Sequence, residues 1–386
     1  MKSNRQSSCI HPIITGLLLG LISVTFAEAA SADYELIDLG NFEPSAINNI
    51  FQIAGSAPID LHTVGAAVWK EGSVTFLDPL TFGGQAVSIN DLSQVLGVSE
   101  NQTILWDATT RKVLNPLPLS TGTVPGALNN AGVAVGGSDF FPGRDLPDML
   151  AVRWNGTEPE SLGTLGPSDP PYSDAIDIND LGQIVGTSQD KGGHSKIFVY
   201  SDGGMIELEN PEGVFESFAE GINNSGDVIG RGVSSTDSSR HSFLWQAGTA
   251  IPIGDPLVVR TNVFDINNVG QVVGGYSTPE GTSGAFLWEN GELFDLNQFI
   301  SEDSPLQLNV ASGINDFGAI IGFGQYGNST SSTRYWLLMP ISDSPEPPTE
   351  NPGEPGSGGP VVPEPSSLIL LGSGLLSLAG IKRRSS

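Results

Sequence analysis

A ten-residue pattern, seen as DINDLGQIVG at residues 177–186, recurs with small changes to give seven copies along the chain. In every copy Ile or Leu precedes a central asparagine, Asn or Asp follows it, and glycine stands seven positions later. Successive central asparagines are 39 to 50 residues apart, a period typical of β-propeller blades. These asparagines are Asn48, Asn90, Asn129, Asn179, Asn223, Asn267 and Asn315, and the glycines are Gly55, Gly97, Gly136, Gly186, Gly230, Gly274 and Gly322.

Each copy predicts two short strands joined by a tight turn. Asn and Asp favour turns because they hydrogen-bond the nearby backbone, and glycine adopts a positive φ without steric cost. A glycine stands three positions after the asparagine in five copies, whereas Phe51 and Ser93 replace it in the first two. Four and two positions before the asparagine the residues are mostly small, as strands converging on a narrow axis require.

An aromatic residue ends a third predicted strand in every repeat, in segments such as SFLW and AFLW. All six tryptophans of the protein and one tyrosine occupy this position: Trp69, Trp106, Trp154, Tyr200, Trp245, Trp288 and Trp336. One interpretation is a ring of platforms for sugars. We favour core residues that fill the gap between neighbouring sheets, because each such side chain buries about 150–250 Å².

A fourth strand such as ELFDL follows a turn in most repeats, so the sequence predicts an all-β, seven-bladed β-propeller of four-stranded blades over residues 33–341. An open solenoid is the alternative. The last repeat stops after TRYWLLMP without a fourth strand, and an additional strand, YELIDLG, precedes the first repeat. We expect this N-terminal strand to complete the last blade and close the ring.

Both ends of the chain carry predicted processing signals. Basic residues precede an apolar run from Ile13 to Phe26 and the small-residue segment Ala27-Glu28-Ala29, the order found in a secretory signal peptide over residues 1–29. The alternative is a membrane anchor, but the run is shorter than the 17 to 25 residues that a spanning helix needs. The only cysteine, Cys9, lies in this segment, so no disulfide is expected after cleavage.

The C-terminus begins with a predicted disordered linker, residues 342–361, rich in Pro, Gly and Glu. A Pro-Glu-Pro box, an apolar segment from Leu368 to Ile381 and a basic cluster then follow in order: Pro363, Glu364, Pro365, Lys382, Arg383 and Arg384. Residues 362–386 thereby resemble the PEP-CTERM sorting signal of exopolysaccharide-producing Gram-negative bacteria. The resemblance implies processing by an exosortase and a transient transmembrane attachment to the inner membrane, whereas a plain C-terminal anchor is the alternative.

The net charge of the chain limits the classes of molecule that it is expected to bind. The chain has 16 Lys and Arg against 43 Asp and Glu, and without both ends 11 basic residues stand against 41 acidic ones. Such an acidic body argues against nucleic acid and anionic lipid as partners. Solubility outside the cell explains the acidity without a specific cation.

The pairing of an IN-D/N-x-G-x-I/V-V-G motif with FLW, as in His241–Trp245 and Gly284–Trp288, resembles the HAF repeats of bacterial extracellular proteins. The resemblance covers about 300 residues and implies secretion and a repeat fold. It brings no catalytic residues and no cofactor. Only one copy carries a histidine in the name-giving position, at His241.

The repeated turn imitates ligand loops without meeting their requirements. DINDLG resembles the start of a calcium loop, but position five is Leu181 and only two copies begin with aspartate. A phosphate loop is excluded as well, since the glycines do not open a helix and no lysine accompanies them. We therefore predict no metal and no cofactor at these turns.

Any ligand site is expected on the opposite face, where the second turn of each blade varies most in length. Candidate contact residues are Phe140, Phe141, Arg144 and Asp145 in the longest insertion. Three histidines in or near second turns, His62, His194 and His241, form a weaker candidate metal site. No spacing selects a pair of carboxylates for glycoside hydrolysis.

The sequence thus predicts an exported protein at the cell surface or in the extracellular matrix, with a non-catalytic binding or structural role. Its predicted partners are signal peptidase and exosortase during processing, and extracellular polysaccharide or another surface protein afterwards. The alternative is an extracellular propeller enzyme that acts on polysaccharide.

Overall fold

The computed structural model describes residues 34–78, 83–139, 149–167, 171–254, 260–327 and 333–341. Within these ranges the regular structure consists of 28 β-strands and one short 3-10 helix, Leu296–Phe299. The strands form seven four-stranded antiparallel sheets. The predicted all-β, seven-bladed propeller is confirmed.

Six blades are continuous in sequence, each a meander of four strands. The first contains β2 (Glu43–Ile47), β3 (Ile53–Pro58), β4 (Val64–Lys70) and β5 (Ser73–Phe76). The second contains β6 (Gly84–Ile89), β7 (Val95–Ser99), β8 (Gln102–Trp106) and β9 (Arg111–Val113). The third contains β10 (Thr123–Leu128), β11 (Ala134–Asp139), β12 (Met149–Trp154) and β13 (Pro159–Gly163).

The next three blades repeat this order. The fourth contains β14 (Ser173–Ile178), β15 (Ile184–Gln189), β16 (Ser195–Ser201) and β17 (Gly204–Glu207). The fifth contains β18 (Val214–Ile222), β19 (Val228–Ser234), β20 (Arg240–Gln246) and β21 (Thr249–Pro252). The sixth contains β22 (Arg260–Ile266), β23 (Val272–Ser277), β24 (Ser283–Glu289) and β25 (Glu292–Asp295).

The seventh blade joins the two ends of the propeller. It contains β26 (Leu306–Ile314), β27 (Ile320–Tyr326), β28 (Thr333–Pro340) and, as its outer strand, β1 (Tyr34–Gly40). β1 pairs antiparallel with β28, with Leu36 opposite Leu338 and Asp38 opposite Trp336. Ring closure by the N-terminal strand is confirmed, and an open solenoid is excluded.

The two glycine positions of the repeat serve different purposes. Three positions after the asparagine φ is positive in all seven copies, from +76° to +87° at the glycines, +58° at Phe51 and +62° at Ser93. Seven positions after it, a Cβ on the glycine would lie 2.0–2.4 Å from a carbonyl oxygen of the first strand. The first strand carries a β-bulge there in every blade. The second glycine therefore allows close approach of two backbones.

The core lies between the blades, and the repeated aromatic residues fill it. The seven side chains are 0–9% exposed. Trp288, for example, packs in one cluster with Leu244 and Ile253 of the preceding blade. Because they are buried, these aromatic side chains expose no face on which a sugar could stack. Each aromatic residue instead attaches its blade to a neighbour.

Candidate functional site

The seven central asparagines form a closed ring of hydrogen bonds around the propeller axis. Each one donates from Nδ2 to the backbone carbonyl oxygen of the central asparagine in the next blade, at 2.9–3.3 Å. The seventh bond runs from Asn315 back to Asn48. All seven side chains are 3–5% exposed. Because an unpaired buried amide costs about 1–3 kcal/mol, the ring depends on every member.

The same side chains also shape their own turns. The Oδ1 atom of each central asparagine accepts a hydrogen bond from the backbone N–H four residues later, at 2.8–3.0 Å. One asparagine therefore fixes a turn through its oxygen and an adjacent blade through its nitrogen. Aspartate has the oxygen without the amide donor.

A second ring of side chains lies beside the first. This outer ring contains the residues directly after the central asparagines: Asn49, Asp91, Asn130, Asp180, Asn224, Asn268 and Asp316. The backbone N–H of each member donates to Oδ1 of the member in the next blade, at 2.8–2.9 Å. This ring also closes, because Asp316 donates to Asn49.

Asp and Asn are distributed in the outer ring so that no two carboxylates are adjacent. Oδ2 of each aspartate accepts hydrogen bonds from the amides of both flanking asparagines. Asp91, for example, receives Nδ2 of Asn49 and of Asn130 at 3.2 Å each. A closed ring of seven positions holds at most three non-adjacent carboxylates. The outer ring has this number.

Two further aspartates stand two positions before the central asparagines of the fourth and sixth blades. Asp177 accepts the backbone N–H groups of Ile178 and Ile222 at 2.7 and 2.9 Å. Asp265 accepts those of Ile266 and Ile314 at 2.8 Å each. Each carboxylate thus links its own blade to the next. This bonding gives Asp177 of the DINDLG motif a structural role without a metal.

Burial dominates the electrostatics of these two groups. Burial raises the pKa of Asp177, although its two backbone hydrogen bonds oppose the change. Burial raises the pKa of Asp265 to about 7, the charges of Asp177 and Asp316 add to the increase, and its two backbone hydrogen bonds oppose it. Asp265 therefore titrates near neutral pH.

The rings enclose a cavity of about 210 Å³, which we call the axial mouth. All seven blades contribute to its lining, which includes Asp265, Ile314 and the outer ring. Of the residues that the structure describes, no Lys, Arg or His lines the mouth. The tight-turn end of the propeller thus presents a small acidic concavity.

Among the described residues that line this mouth there is none of the three histidines predicted as a metal site. Phe140, Phe141, Arg144 and Asp145 lie outside the described residues, so the predicted ligand face stays a prediction. His62, His194 and His241 belong to the first, fourth and fifth blades. Among the described residues, no three His, Cys, Asp or Glu side chains are placed to hold a metal ion.

Sequence reasoning missed the axial mouth because it assigned the turn residues to hairpin geometry alone. A signal was nevertheless present two positions after the central asparagine. Five of the seven copies carry a large apolar residue there: Ile50, Leu92, Leu181, Val269 and Phe317. Turn chemistry favours Gly, Asn, Asp or Ser, so the hairpin does not explain them.

Comparison with known proteins identifies the C-terminal signal. The model of the PEP-CTERM protein-sorting motif matches residues 361–384. This motif indicates export and cell-surface sorting in a Gram-negative bacterium, with processing by an exosortase. Among curated proteins, none matches the chain. No helix in the described ranges is long and apolar enough to cross a membrane, and Leu368–Ile381 lies outside them.

Solved structures share the propeller fold at low sequence identity. The chain is similar to the β-propeller domain of the Trilobed protease from Pyrococcus furiosus, with a TM-score of 0.50 and 12% identity over 83% of this chain and 98% of that one. It is also similar to Pyrococcus horikoshii acylaminoacyl peptidase, with a TM-score of 0.49, 15% identity and coverage of 74%. This chain covers 49% of that peptidase. These likenesses show the fold alone.

The separation of carboxylates in the outer ring predicts the effect of Asn268→Asp. This substitution places two carboxylates side by side and removes the 3.0 Å bond from Asn268 Nδ2 to Asp316 Oδ2. We expect the free energy of unfolding to fall by about 1–2 kcal/mol at pH 7. Urea denaturation at pH 7 measures the effect.

The matched control is Asn290→Asp, which adds the same charge in an exposed third turn. It should change the stability by less than about 0.5 kcal/mol. If the free energy of unfolding fell equally in the two variants, the separation of carboxylates would not be what stabilises the outer ring.

The raised pKa of Asp265 predicts how stability depends on pH. Folded Asp265 keeps its proton up to about pH 7, whereas the unfolded carboxyl loses it near pH 4. The contribution of this group to stability therefore falls as pH rises from about 4 to 7. Asp265→Asn should make the fall in the free energy of unfolding shallower across this window, with exposed Asp303→Asn as control. Identical slopes for wild type and Asp265→Asn would refute the assignment.

Proposed function

We propose that this protein has a non-catalytic binding or structural role at the cell surface or in the extracellular polysaccharide matrix. The sorting motif at residues 361–384 supports the location. The observation that carries the role is that nearly all polar side chains at the axial mouth are hydrogen-bonded to an adjacent blade. Catalysis needs side chains that are free to exchange protons or to attack a substrate, so these groups are poorly suited to it.

The rest of the processing scheme belongs to the same proposal. A signal peptide over residues 1–29 would be removed by signal peptidase. Residues 342–361 would act as a linker, and Leu368–Ile381 would hold the chain transiently in the inner membrane until an exosortase acts. The recurrence of the asparagine turn with FLW supports assignment of residues 33–341 to HAF repeats.

A second candidate function is a propeller enzyme that acts on polysaccharide, and one observation favours it. Asp265 titrates near neutral pH and is influenced by the charge of Asp177, as in sites where two carboxylates share acid and base roles. Against this role, each carboxylate binds two backbone N–H groups. The mouth is also smaller than the usual ligand cleft of about 300–1,000 Å³.

The two functions are separated by measuring binding and turnover on the same substrates. The purified secreted protein would be applied to an array of bacterial polysaccharide fragments and surface proteins, and every bound compound would be tested for chain shortening. Binding without new reducing ends is expected. Cleavage by the wild type that is lost in Asp177→Asn/Asp265→Asn would overturn the non-catalytic role.

A further inference from the structure

In five of the seven blades an exposed apolar side chain directly follows the outer-ring residue that lines the axial mouth. These side chains, which we call the rim, stand two positions after the central asparagine: Ile50, Leu92, Leu181, Val269 and Phe317, which are 43–73% exposed. Ala131 and Ser225 occupy the two other positions. Phe317 stacks on Phe51 with ring centroids 5.7 Å apart. Exposed apolar groups arranged on one face mark an interaction surface.

The centre of this surface is negatively charged. Asp91, Asp180 and Asp316 are fixed at non-adjacent positions of the outer ring, and all three line the cavity. Ion pairs among the described residues do not include any of the three outer-ring aspartates. A cationic group that enters the mouth therefore meets carboxylates whose charge is not yet compensated.

The bonding of the carboxylates limits what this cation is. Each outer-ring aspartate already accepts three hydrogen bonds, so little coordinating capacity is left for a calcium ion, which needs six to eight oxygen ligands. The described residues also contain no group of three His, Cys, Asp or Glu side chains placed to hold a metal ion. An ammonium or guanidinium group is a hydrogen-bond donor that needs only negative charge nearby and a few free acceptor lone pairs, so an organic cation fits better than a metal.

The size of the mouth and the rim around it indicate the class of partner. A cavity of about 210 Å³ holds one long side chain and is below the range of drug-sized ligand pockets. Apolar rim residues favour apolar neighbours on either side of that side chain. A polysaccharide would be served better by several exposed aromatic faces, and the rim offers only Phe317.

We propose that the axial mouth and its rim dock a protein segment that inserts one Lys or Arg side chain between apolar neighbours. This inference rests on the proposed non-catalytic binding role and names its partner class. The cation lies among Asp91, Asp180 and Asp316, and the flanking apolar residues pack on the rim.

A random peptide library, displayed on phage and selected on the purified secreted protein, tests the inference. Enriched peptides should share a single Lys or Arg with apolar residues next to it. Synthetic copies should bind less tightly as salt rises, because screening weakens charge attraction. A selection that enriches no peptide, or only peptides without a basic residue, would overturn the docking site.

Three variants locate the binding of these peptides. Asp91→Asn/Asp180→Asn/Asp316→Asn removes the charges, and Leu92→Ser/Leu181→Ser/Val269→Ser removes exposed apolar groups without disturbing the core. Each should raise the Kd at least about tenfold, because the charge variant loses charged hydrogen bonds of about 1.5–3 kcal/mol and the rim variant loses buried apolar area. The control, Glu35→Gln/Glu207→Gln/Glu292→Gln, removes the same charge from exposed strand positions and should change the Kd less than about twofold.

The outcomes separate this inference from the function on which it rests. Unchanged affinity in the rim variant would overturn docking at the mouth even if the charge variant failed to fold. A polysaccharide that binds wild type and both variants equally, with no peptide selected, would refute the peptide partner and leave a non-catalytic role intact. Bond cleavage by the wild type would instead overturn the role itself.

Discussion

The structure depends on one repeated interaction, the hydrogen bond from the side-chain amide of a central asparagine to the backbone carbonyl of its counterpart in the next blade. Seven of these bonds close on themselves at the axis, from Asn48 round to Asn315. The described residues contain no cysteine, so no disulfide assists them. Aromatic side chains fill the space between blades farther out, and β1 completes the last blade.

The ring of asparagine hydrogen bonds also determines which side chains face solvent at the end of the propeller that carries the axial mouth. The inner asparagines are buried, and the residues directly after them form a second ring in which amides separate the three carboxylates. The residues two positions after them face outward as the apolar rim. The acidic mouth and its rim are therefore consequences of one hairpin, repeated seven times about an axis.

The sequence predicted the architecture well because its evidence is local or periodic. The spacing of the asparagines predicted seven blades, and the unmatched strand before Glu43 predicted closure. The mouth was missed because its contacts join residues 39 to 50 positions apart, and 267 apart between Asn49 and Asp316. The separation of the carboxylates has meaning only once the ring is closed, so the polar pair of one turn examined alone, such as Asn90-Asp91, shows ordinary hairpin chemistry.

Hydrogen–deuterium exchange of the full secreted chain tests the central claim most directly. The backbone amides that follow the seven central asparagines lie at a solvent-facing mouth, yet each donates to a side chain of the next blade at 2.8–2.9 Å. The hydrogen-bonded ring predicts protection equal to that of the inner strands. Exposed third turns, such as those at Asp202 and Asn290, serve as the fast-exchanging reference. Exchange at the seven mouth amides as fast as at these third turns would contradict the account.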